Sequence, residues 1–311
     1  MCCLFGIIDY NNTLSAKQKS RMISILATEC EERGTDATGI AYNSNGKLHI
    51  FKKPLAAHLM RFKIPGDTTC IMGHTRLATS GDPKFNFQNH PFPSKVKGRG
   101  FALAHNGVLY NDVELRITEG LPDTKIETDS YVAVQLIEKK KSLNFNSLRY
   151  MAEKVEGSFT FTVMDDRDNL YFVKGENPMC IYHYPKLGIY IYASTKEILE
   201  KALKKMGMPR KGVEVEIECG DILMIDSEGK QTRSEFLLKE SYWSWRHYPY
   251  SYSYEYIPTP KKANSKIEQE YIEDLRTVAS FCGYHPTIVD EFIDDGFTLD
   301  EVVDMLYHGD V

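Results

Sequence analysis

The residues with the clearest chemical potential stand at the start of the chain, which opens MCCLFGIIDY. Cys2 and Cys3 directly follow Met1, although chain termini commonly fray. Three explanations are open: the pair begins a buried strand, belongs to a metal or disulfide site, or supplies a nucleophile that must be terminal. The seven cysteines are odd in number, scattered and without a CxxC pair, which argues against metal and disulfide sites. A buried strand and a terminal nucleophile remain.

A cysteine at the terminus can act as a nucleophile without a separate histidine. Removal of Met1 leaves a free α-amino group on Cys2, and such a group has a reference pKa of about 7.7 to 8. The amine can take the thiol proton, which is the N-terminal variant of nucleophile activation. Cys2 is small enough to permit removal of the preceding methionine.

Further polar motifs follow in order behind Cys2. They are RGTDATGI at 33–40, GHTRLATSG at 73–81 with NHPF at 89–92, and HNG at 105–107 with TDS at 128–130. Each is weak alone, because HNG or TDS occurs often by chance. Together, in this order, they resemble the class II glutamine amidotransferases, whose glutaminase domains are N-terminal-nucleophile (Ntn) hydrolases. The resemblance covers residues 2 to about 225.

The resemblance implies the catalytic residues. Cys2 would attack the amide, and the Asn106 side chain with the Gly107 N–H would form the oxyanion hole, where donors stabilise the developing negative charge. A plain Asn-Gly turn is the alternative for HNG. Cys3 stands where the family usually has glycine. It is interpreted as a small buried thiol, with a redox partner for Cys2 as the alternative.

The resemblance also implies a clamp for the amino-acid end of glutamine. Arg76 would bind the α-carboxylate, since a guanidinium fork matches a carboxylate. Asp129 would bind the α-ammonium, and Thr79 would add a hydrogen bond. The alternatives are a surface salt bridge for Arg76 and a helix-terminal charge for Asp129. Leu77 stands where many relatives have an aromatic residue.

Other matched positions are interpreted mainly as architecture. Arg33 lies in a loop resembling the family's RGPDxxG element, with Thr35 in place of proline. His90 either reaches the mouth of the pocket or has a structural role. His74 is expected to be a packed strand histidine, and Ser194 a structural residue.

Composition excludes several other classes of protein. The 311 residues include 42 % apolar and 26 % charged residues, which is typical of a globular protein. The net charge of −5 disfavours nucleic-acid binding. No stretch reaches the length of a membrane span, and the N-terminus lacks the basic region of a signal peptide. We expect a cytoplasmic protein without a metal or another cofactor.

The elements that must position these residues form a mixed pattern. Strands are expected at CLFGII, RGTDATGIAY, KLHIFKK, CIMGHTRLAT, SFTFTVMD, NLYFVKG, MCIYHY and GIYIYAS, and helices at 16–32, 129–139, 144–155 and 196–205. Thr128 is expected to cap the second helix. The sequence FALAHNGVLYN is interpreted as an apolar run broken at Asn106-Gly107. The sequence VEVEIECGDILMID predicts two strands around a turn at 219–221. Short connections favour antiparallel sheets covered by helices.

The resemblance makes this fold an α+β Ntn-hydrolase αββα sandwich, two stacked and mainly antiparallel sheets flanked by helices. We expect the amidotransferase domain at 1–240, an aromatic-rich connecting segment at 241–263 and a small three-helix tail at 264–311. The aromatic segment is interpreted as packing back on the domain, with an exposed interface as the alternative. The third tail helix would begin at a Thr298–Glu301 capping box.

The leading hypothesis is hydrolysis of L-glutamine to glutamate and ammonia through a thioester on Cys2. Family members usually pass the ammonia to a synthase domain, and residues 241–311 contain no phosphate-loop or phosphoribosyl-binding motif of such a domain. A separate synthase partner or a free-standing glutaminase would follow. The alternatives are an Ntn amidase for another amide and a non-catalytic binding or regulatory protein that retains the fold.

Overall fold

Two antiparallel sheets form the framework of the chain in a computed structural model. It describes residues 2–209, 212–238, 266–281 and 284–294, with residues 299, 302 and 306. The chain divides into two compact units, Met1–Tyr248 and Pro249–Val311. In the described ranges, no helix is long and apolar enough to cross a bilayer.

The first sheet carries the N-terminus on a central strand. Its spatial order is β11-β9-β10-β1-β4-β2-β3, and every neighbouring pair is antiparallel. The strands are β1 (Cys3–Asp9), β2 (Ala37–Ser44), β3 (Lys47–Lys53), β4 (Cys70–Arg76), β9 (Cys180–Tyr184), β10 (Ile189–Ala193) and β11 (Val213–Glu214). The central position of β1 gives the residues from Cys3 onward hydrogen-bonded neighbours on both sides.

The second sheet carries the HNG motif. Its order is β13-β12-β8-β7-β6-β5, again antiparallel throughout. The strands are β5 (Phe92–Val96), β6 (Arg99–Leu109), β7 (Gly157–Asp165), β8 (Leu170–Lys174), β12 (Asp221–Ile225) and β13 (Gln231–Glu235).

Helices cover the outer faces of both sheets. Those of the first unit are α1 (Ala16–Cys30), α2 (Asp112–Thr118), α3 (Tyr131–Lys139), α4 (Phe145–Lys154) and α5 (Lys196–Met206). A capping box between Ser15 and Gln18 starts α1. Helix α5 starts at the Thr195 side-chain cap and ends at Gly207, which is left-handed with φ +75°.

Strand alternation sorts the core into layers. In β1, Phe5 and Ile7 pack with buried residues of α1 and α5, whereas Leu4 and Ile8 pack between the sheets with residues of the second sheet. A third cluster joins the outer face of the second sheet to α3 and α4. The order helix, sheet, sheet, helix confirms the predicted αββα sandwich.

One prediction about the second sheet is wrong. β6 runs without a break through Asn106-Gly107, which pairs with Thr160 and Phe159 of β7. Gly107 takes φ +143°, a conformation that glycine tolerates inside a strand. The two strands expected around a turn at 219–221 are present as β11 and β12, and they belong to different sheets, because β11 pairs with β9 and β12 with β8.

The expected cap of the helix after TDS is also wrong. α3 begins at Tyr131, two residues later than predicted, and its N-cap residue Ser130 makes no side-chain cap. The Thr128 hydroxyl instead donates to the carbonyl of Gln88 at 2.8 Å. The sequence pattern assigns the Thr128 hydroxyl to the helix cap, but a residue distant in sequence, Gln88, accepts its hydrogen bond.

The second unit contains α6 (Lys266–Phe281) and α7 (Ile288–Asp294), near the first two helices predicted for the tail. Leu275 and Ala279 of α6 pack with Val289 of α7, Val302 and Leu306. The predicted aromatic segment at 241–263 and the Thr298–Glu301 cap lie outside the described residues.

Candidate active site

Cys2 and Cys3 point to opposite sides of the first sheet. Cys3 is fully buried on the helical side, in the same cluster as Cys30. Cys2 therefore lies on the side that faces the other sheet, as Leu4 does. All six described cysteines are free thiols. The interpretation of Cys3 as a buried thiol is confirmed. The alternative of a redox pair with Cys2 is disfavoured, because the two thiols lie on opposite sides of the sheet.

The Cys2 thiol is held at the start of the loop that follows β4. Its Sγ lies 3.4 Å from the carbonyl oxygen of Leu77. Burial raises the pKa of the Cys2 thiol above its ordinary value, and the positive charge of Arg76 acts in the opposite direction. A thiol with a raised pKa is protonated at neutral pH, so attack by this sulfur requires a base.

Two side chains anchor the backbone around Cys2. Arg33 Nε donates to the Cys2 carbonyl at 2.9 Å, and the Leu4 N–H donates to Ser194 Oγ at 2.8 Å. Ser194 is completely buried. The loop around Arg33 also holds the loop that follows β4, because the Asp36 carboxylate accepts the Ala78 N–H at 2.7 Å.

Asn106 faces the space between the sheets from β6. Ala102 and Ala104, which share its face of the strand, belong to the cluster between the sheets. The Asn106 side chain is fully buried, and neither Nδ2 nor Oδ1 has a hydrogen-bond partner among the residues that the structure describes. A buried amide with both polar atoms unsatisfied is costly in a folded protein and points to a ligand.

The register of β6 and β7 determines the direction of the Gly107 N–H. Tyr110 N donates to Glu156 O at 2.8 Å, and Asp166 N donates to Gly100 O at 3.0 Å, both in the same register. Backbone groups of alternate residues point to the partner strand in an antiparallel pair. Even-numbered residues of β6 therefore bond to β7, and the Gly107 N–H points to the opposite edge.

That opposite edge of β6 is where Asp129 lies. β5 pairs with β6 only up to Leu103, so it does not extend to Gly107. Two residues beyond Gly107, the Leu109 N–H donates to Asp129 Oδ2 at 2.7 Å. The Gly107 N–H and the Asp129 carboxylate thus share one side of the strand.

Arg76 is buried and its guanidinium already has protein acceptors. Nη1 donates to Asn89 Oδ1 at 2.5 Å. Nη2 donates to the carbonyls of Ser80 and of Gly81, the latter at 2.9 Å. The side chain thereby folds the loop after β4 against the NHPF segment.

Asp129 is buried, and Thr79 is exposed. The Asp129 carboxylate accepts the Ser80 hydroxyl at 3.0 Å in addition to the Leu109 N–H. Thr79 lies beside Ser80 in the loop after β4. Arg76 and Asp129 both lie close enough to Cys2 to influence the pKa of its thiol.

Three buried histidines lie beside this region. His90 packs its ring on His74, with 4.3 Å between centroids, and on Phe92 at 4.4 Å. His74 Nε2 lies 2.9 Å from the His105 carbonyl, and His105 Nδ1 lies 2.7 Å from Ser130 Oγ. Burial lowers the pKa of His74 to about 3 and that of His105 to about 4. At neutral pH these rings are uncharged packing groups.

His90 is buried rather than exposed at a pocket mouth. Its two ring nitrogens have no hydrogen-bond partner in the described part of the chain, and burial lowers its pKa well below the ordinary value. Among the same residues, no group of three potential ligands could hold a metal ion.

Several residues of the site carry no sequence signal. Asn177 donates its Nδ2 to the Asn106 carbonyl at 2.9 Å. Gln88 accepts the Glu127 N–H at 2.8 Å and so attaches the segment before Asp129 to the NHPF region. An isolated Asn or Gln in a loop resembles any other polar residue, and only the tertiary contact distinguishes it.

Comparisons with known proteins find glutamine amidotransferases. The family model described as a glutamine amidotransferase domain matches residues 74–201. Isomerizing glutamine–fructose-6-phosphate aminotransferase of Staphylococcus epidermidis is 33% identical over 192 residues, covering 58% of this chain and 30% of that enzyme. The same enzyme of Bacillus subtilis is 31% identical over 186 residues, covering 57% of this chain and 30% of the relative.

A solved structure shares the fold. Glutamine phosphoribosylpyrophosphate amidotransferase from B. subtilis, complexed with ADP and GMP, superposes with a TM-score of 0.60 at 21% identity, covering 76% of this chain and 50% of that one. The two stacked sheets with flanking helices therefore have the Ntn-hydrolase fold. The chain carries a class II glutamine amidotransferase domain, as its motifs predict. It spans about 30% of the length of the curated relatives it matches.

Proposed function

We propose that this chain hydrolyses the side-chain amide of L-glutamine to glutamate and ammonia at Cys2. The observation that carries the proposal is the Asn106 amide, which is buried between the sheets with neither polar atom satisfied by a described residue. An oxyanion on the side where Cys2 lies would satisfy its Nδ2. The family membership of the domain supports the same reaction.

The first half of the reaction forms a thioester. Removal of Met1 frees the Cys2 α-amine, which takes the Sγ proton as the sulfur bonds to the amide carbon. The oxygen of the tetrahedral intermediate carries the negative charge, stabilised by Asn106 Nδ2 and the Gly107 N–H. The intermediate collapses as the C–N bond breaks, and the ammonium group of Cys2 returns its proton to the leaving nitrogen, which departs as ammonia.

The second half regenerates the thiol. The Cys2 amine accepts a proton from a water molecule as its oxygen bonds to the thioester carbon. The same oxyanion donors stabilise the second tetrahedral intermediate. When the C–S bond breaks, Sγ is reprotonated and glutamate leaves, so the enzyme returns to its starting state without a cofactor.

The substrate clamp uses Arg76 and Asp129. The glutamine carboxylate would replace the Ser80 or Gly81 carbonyl at Arg76 Nη2, exchanging a neutral acceptor for a charged one, which makes a stronger bond. Asp129 keeps acceptor capacity beyond its two short bonds, and it would bind the α-ammonium. The exposed Thr79 would close over the bound amino acid.

The ammonia is proposed to pass to a separate synthase chain in the cytoplasm. The curated relatives are named for transferring the glutamine nitrogen to fructose 6-phosphate, and this chain matches about 30% of their length. Co-purification from the host should identify the synthase that accepts this ammonia.

The test is a glutaminase assay with a panel of amides. Wild-type protein should release ammonia and glutamate from L-glutamine, and not from glutaramic acid, which lacks the α-ammonium. Cys2→Ala should abolish turnover, and Cys3→Ala is the matched control that should retain it. Equal turnover of both amides would favour an Ntn amidase. Full activity of Cys2→Ala, or no turnover by the wild type, would contradict the proposal.

A further inference from the structure

We propose that Asn177 is a positioning residue that orients the Gly107 N–H toward the oxyanion. This inference rests on the proposed glutaminase function. Asn177 lies in the segment between β8 and β9, and among the described residues it hydrogen-bonds to neither Cys2 nor the substrate clamp. It acts through the peptide that joins Asn106 to Gly107.

The contact is a side-chain hydrogen bond to a carbonyl that the register of β6 and β7 also directs toward β7. Asn177 Nδ2 donates to the Asn106 carbonyl oxygen at 2.9 Å. The Asn106 carbonyl and the Gly107 N–H belong to the same planar peptide unit and point in opposite directions when that peptide is trans. Fixing the carbonyl on the β7 side therefore fixes the N–H on the opposite edge, which is the edge that holds Asp129.

Gly107 is the position in β6 where a second restraint on this peptide has the most effect. Its φ of +143° lies outside the usual strand conformation, and glycine is the residue with the greatest backbone freedom. A side chain cannot supply the missing stiffness, because a Cβ at Gly107 would lie 1.9 Å from the Ser158 carbonyl oxygen and 2.5 Å from Asn177 Nδ2. Asn177 thus packs directly over the glycine and limits the rotation of its peptide.

Asn177 is itself held in place by its backbone. Its carbonyl accepts the Thr160 hydroxyl at 2.6 Å, and its N–H donates to the Phe159 carbonyl at 3.4 Å. Both partners belong to β7, the strand that pairs with Asn106 and Gly107. The loop is therefore attached without the Asn177 amide, which leaves that amide free for the positioning role.

The test compares two identical substitutions in the full-length chain. Asn177→Asp keeps the size of the side chain but turns the donor into an acceptor that repels the Asn106 carbonyl. Asn111→Asp is the matched control, because Asn111 Nδ2 also donates to a backbone carbonyl, that of Lys154, at 3.0 Å. Steady-state glutamine hydrolysis, thermal unfolding and alkylation of Cys2 by iodoacetamide are measured for each.

We expect Asn177→Asp to lower kcat about tenfold or more, somewhat less than the loss of an oxyanion donor itself. KM for glutamine should stay within about twofold, and the alkylation rate should match the wild type, since alkylation forms no oxyanion. Asn111→Asp should keep the wild-type kcat. Asn177→Ala, which lacks the repelling charge, should show a smaller fall in kcat and serves as the reporter should Asn177→Asp not fold.

Three outcomes would overturn the inference. The first is a wild-type kcat in both Asn177 variants. The second is an equal loss of kcat and of Cys2 alkylation, which would indicate general disruption of the site. The third is absence of turnover by the wild type, which would overturn the proposed function and this inference with it.

Discussion

At the scale of single residues, the central feature is that residues adjacent in sequence have different roles. Cys2 and Cys3 are adjacent in sequence, yet strand alternation places one thiol beside Arg76 and Asp129 and buries the other beneath α1. Asn106 and Gly107 are likewise adjacent, and one offers a side-chain donor while the other offers a backbone N–H. In each pair, neighbouring residues of a strand point in different directions, so the two residues can serve different roles.

Asn106 is expected to contribute chiefly to the transition state. Asn106→Ala should lower kcat for glutamine hydrolysis by about 10²–10³, the effect of losing one oxyanion donor, with a smaller change in KM. The comparison uses steady-state kinetics, and Asn111→Ala is a reference that removes a buried amide outside the site. A kcat within threefold of wild type for Asn106→Ala would assign Asn106 a structural role only.

At the scale of elements, β6 is the strand on which most of the site depends. It continues through Asn106-Gly107, although a single-sequence reading favours a turn at an Asn-Gly pair. Pairing with β7 overrides that local preference, since nine consecutive register pairs hold the strand. The strand therefore delivers the Asn106 side chain and the Gly107 N–H as a rigid pair.

Gly107 should be intolerant of any side chain. Gly107→Ala places a Cβ 1.9 Å from the Ser158 carbonyl oxygen at a φ of +143°, so the β6–β7 pair must separate locally. We expect a loss of about 3 kcal/mol or more in the free energy of unfolding, measured by urea denaturation. Gly66→Ala, where a Cβ would meet open space, should change stability by less than about 1 kcal/mol.

The sequence predicts most strands correctly, because the alternation of apolar residues is a property of local residue type and spacing. The assignment of Cys2 as the nucleophile and of Asn106 and Gly107 as the oxyanion donors stays a prediction. The sequence motifs do not predict contacts made by unremarkable polar residues. Thr128 looks like a helix cap and instead bonds to Gln88. Asn177 sits in KGENPM, which matches no motif, and its role depends on a contact 71 residues away in sequence.

At the scale of the whole molecule, the buried histidines link the two sheets. His74 belongs to β4 of the first sheet, and its Nε2 bonds to the carbonyl of His105 on β6 of the second. The rings are uncharged when folded, because burial lowers the pKa of both. The stability of the sandwich is thus coupled to pH.

Acid should destabilise the protein between pH 6.5 and 4. The unfolded chain protonates His105 near its ordinary pKa of 6.5, whereas the folded pKa is about 4. As the pH falls through this window, the unfolded state binds more protons, so stability decreases. His105→Asn can keep a bond to Ser130 and should flatten the acid slope by about one proton in urea titrations. An unchanged slope would contradict this account.

All proposed site residues lie in the first unit, Met1–Tyr248. A chain ending at Tyr248 should therefore hydrolyse glutamine with a kcat within about twofold of the full chain, measured by the same assay. A loss of more than tenfold in a folded truncated protein would assign the second unit a part in glutamine hydrolysis.

The most direct measurement of the central claim is intact-mass analysis of the protein after rapid acid quenching with L-glutamine. We predict a protein that lacks Met1 and carries a γ-glutamyl adduct, which peptide mapping locates on Cys2. Asn106→Ala should reduce the adduct, and Cys2→Ala should eliminate it. Retention of Met1 in the active protein, or an adduct on another residue, would contradict the account.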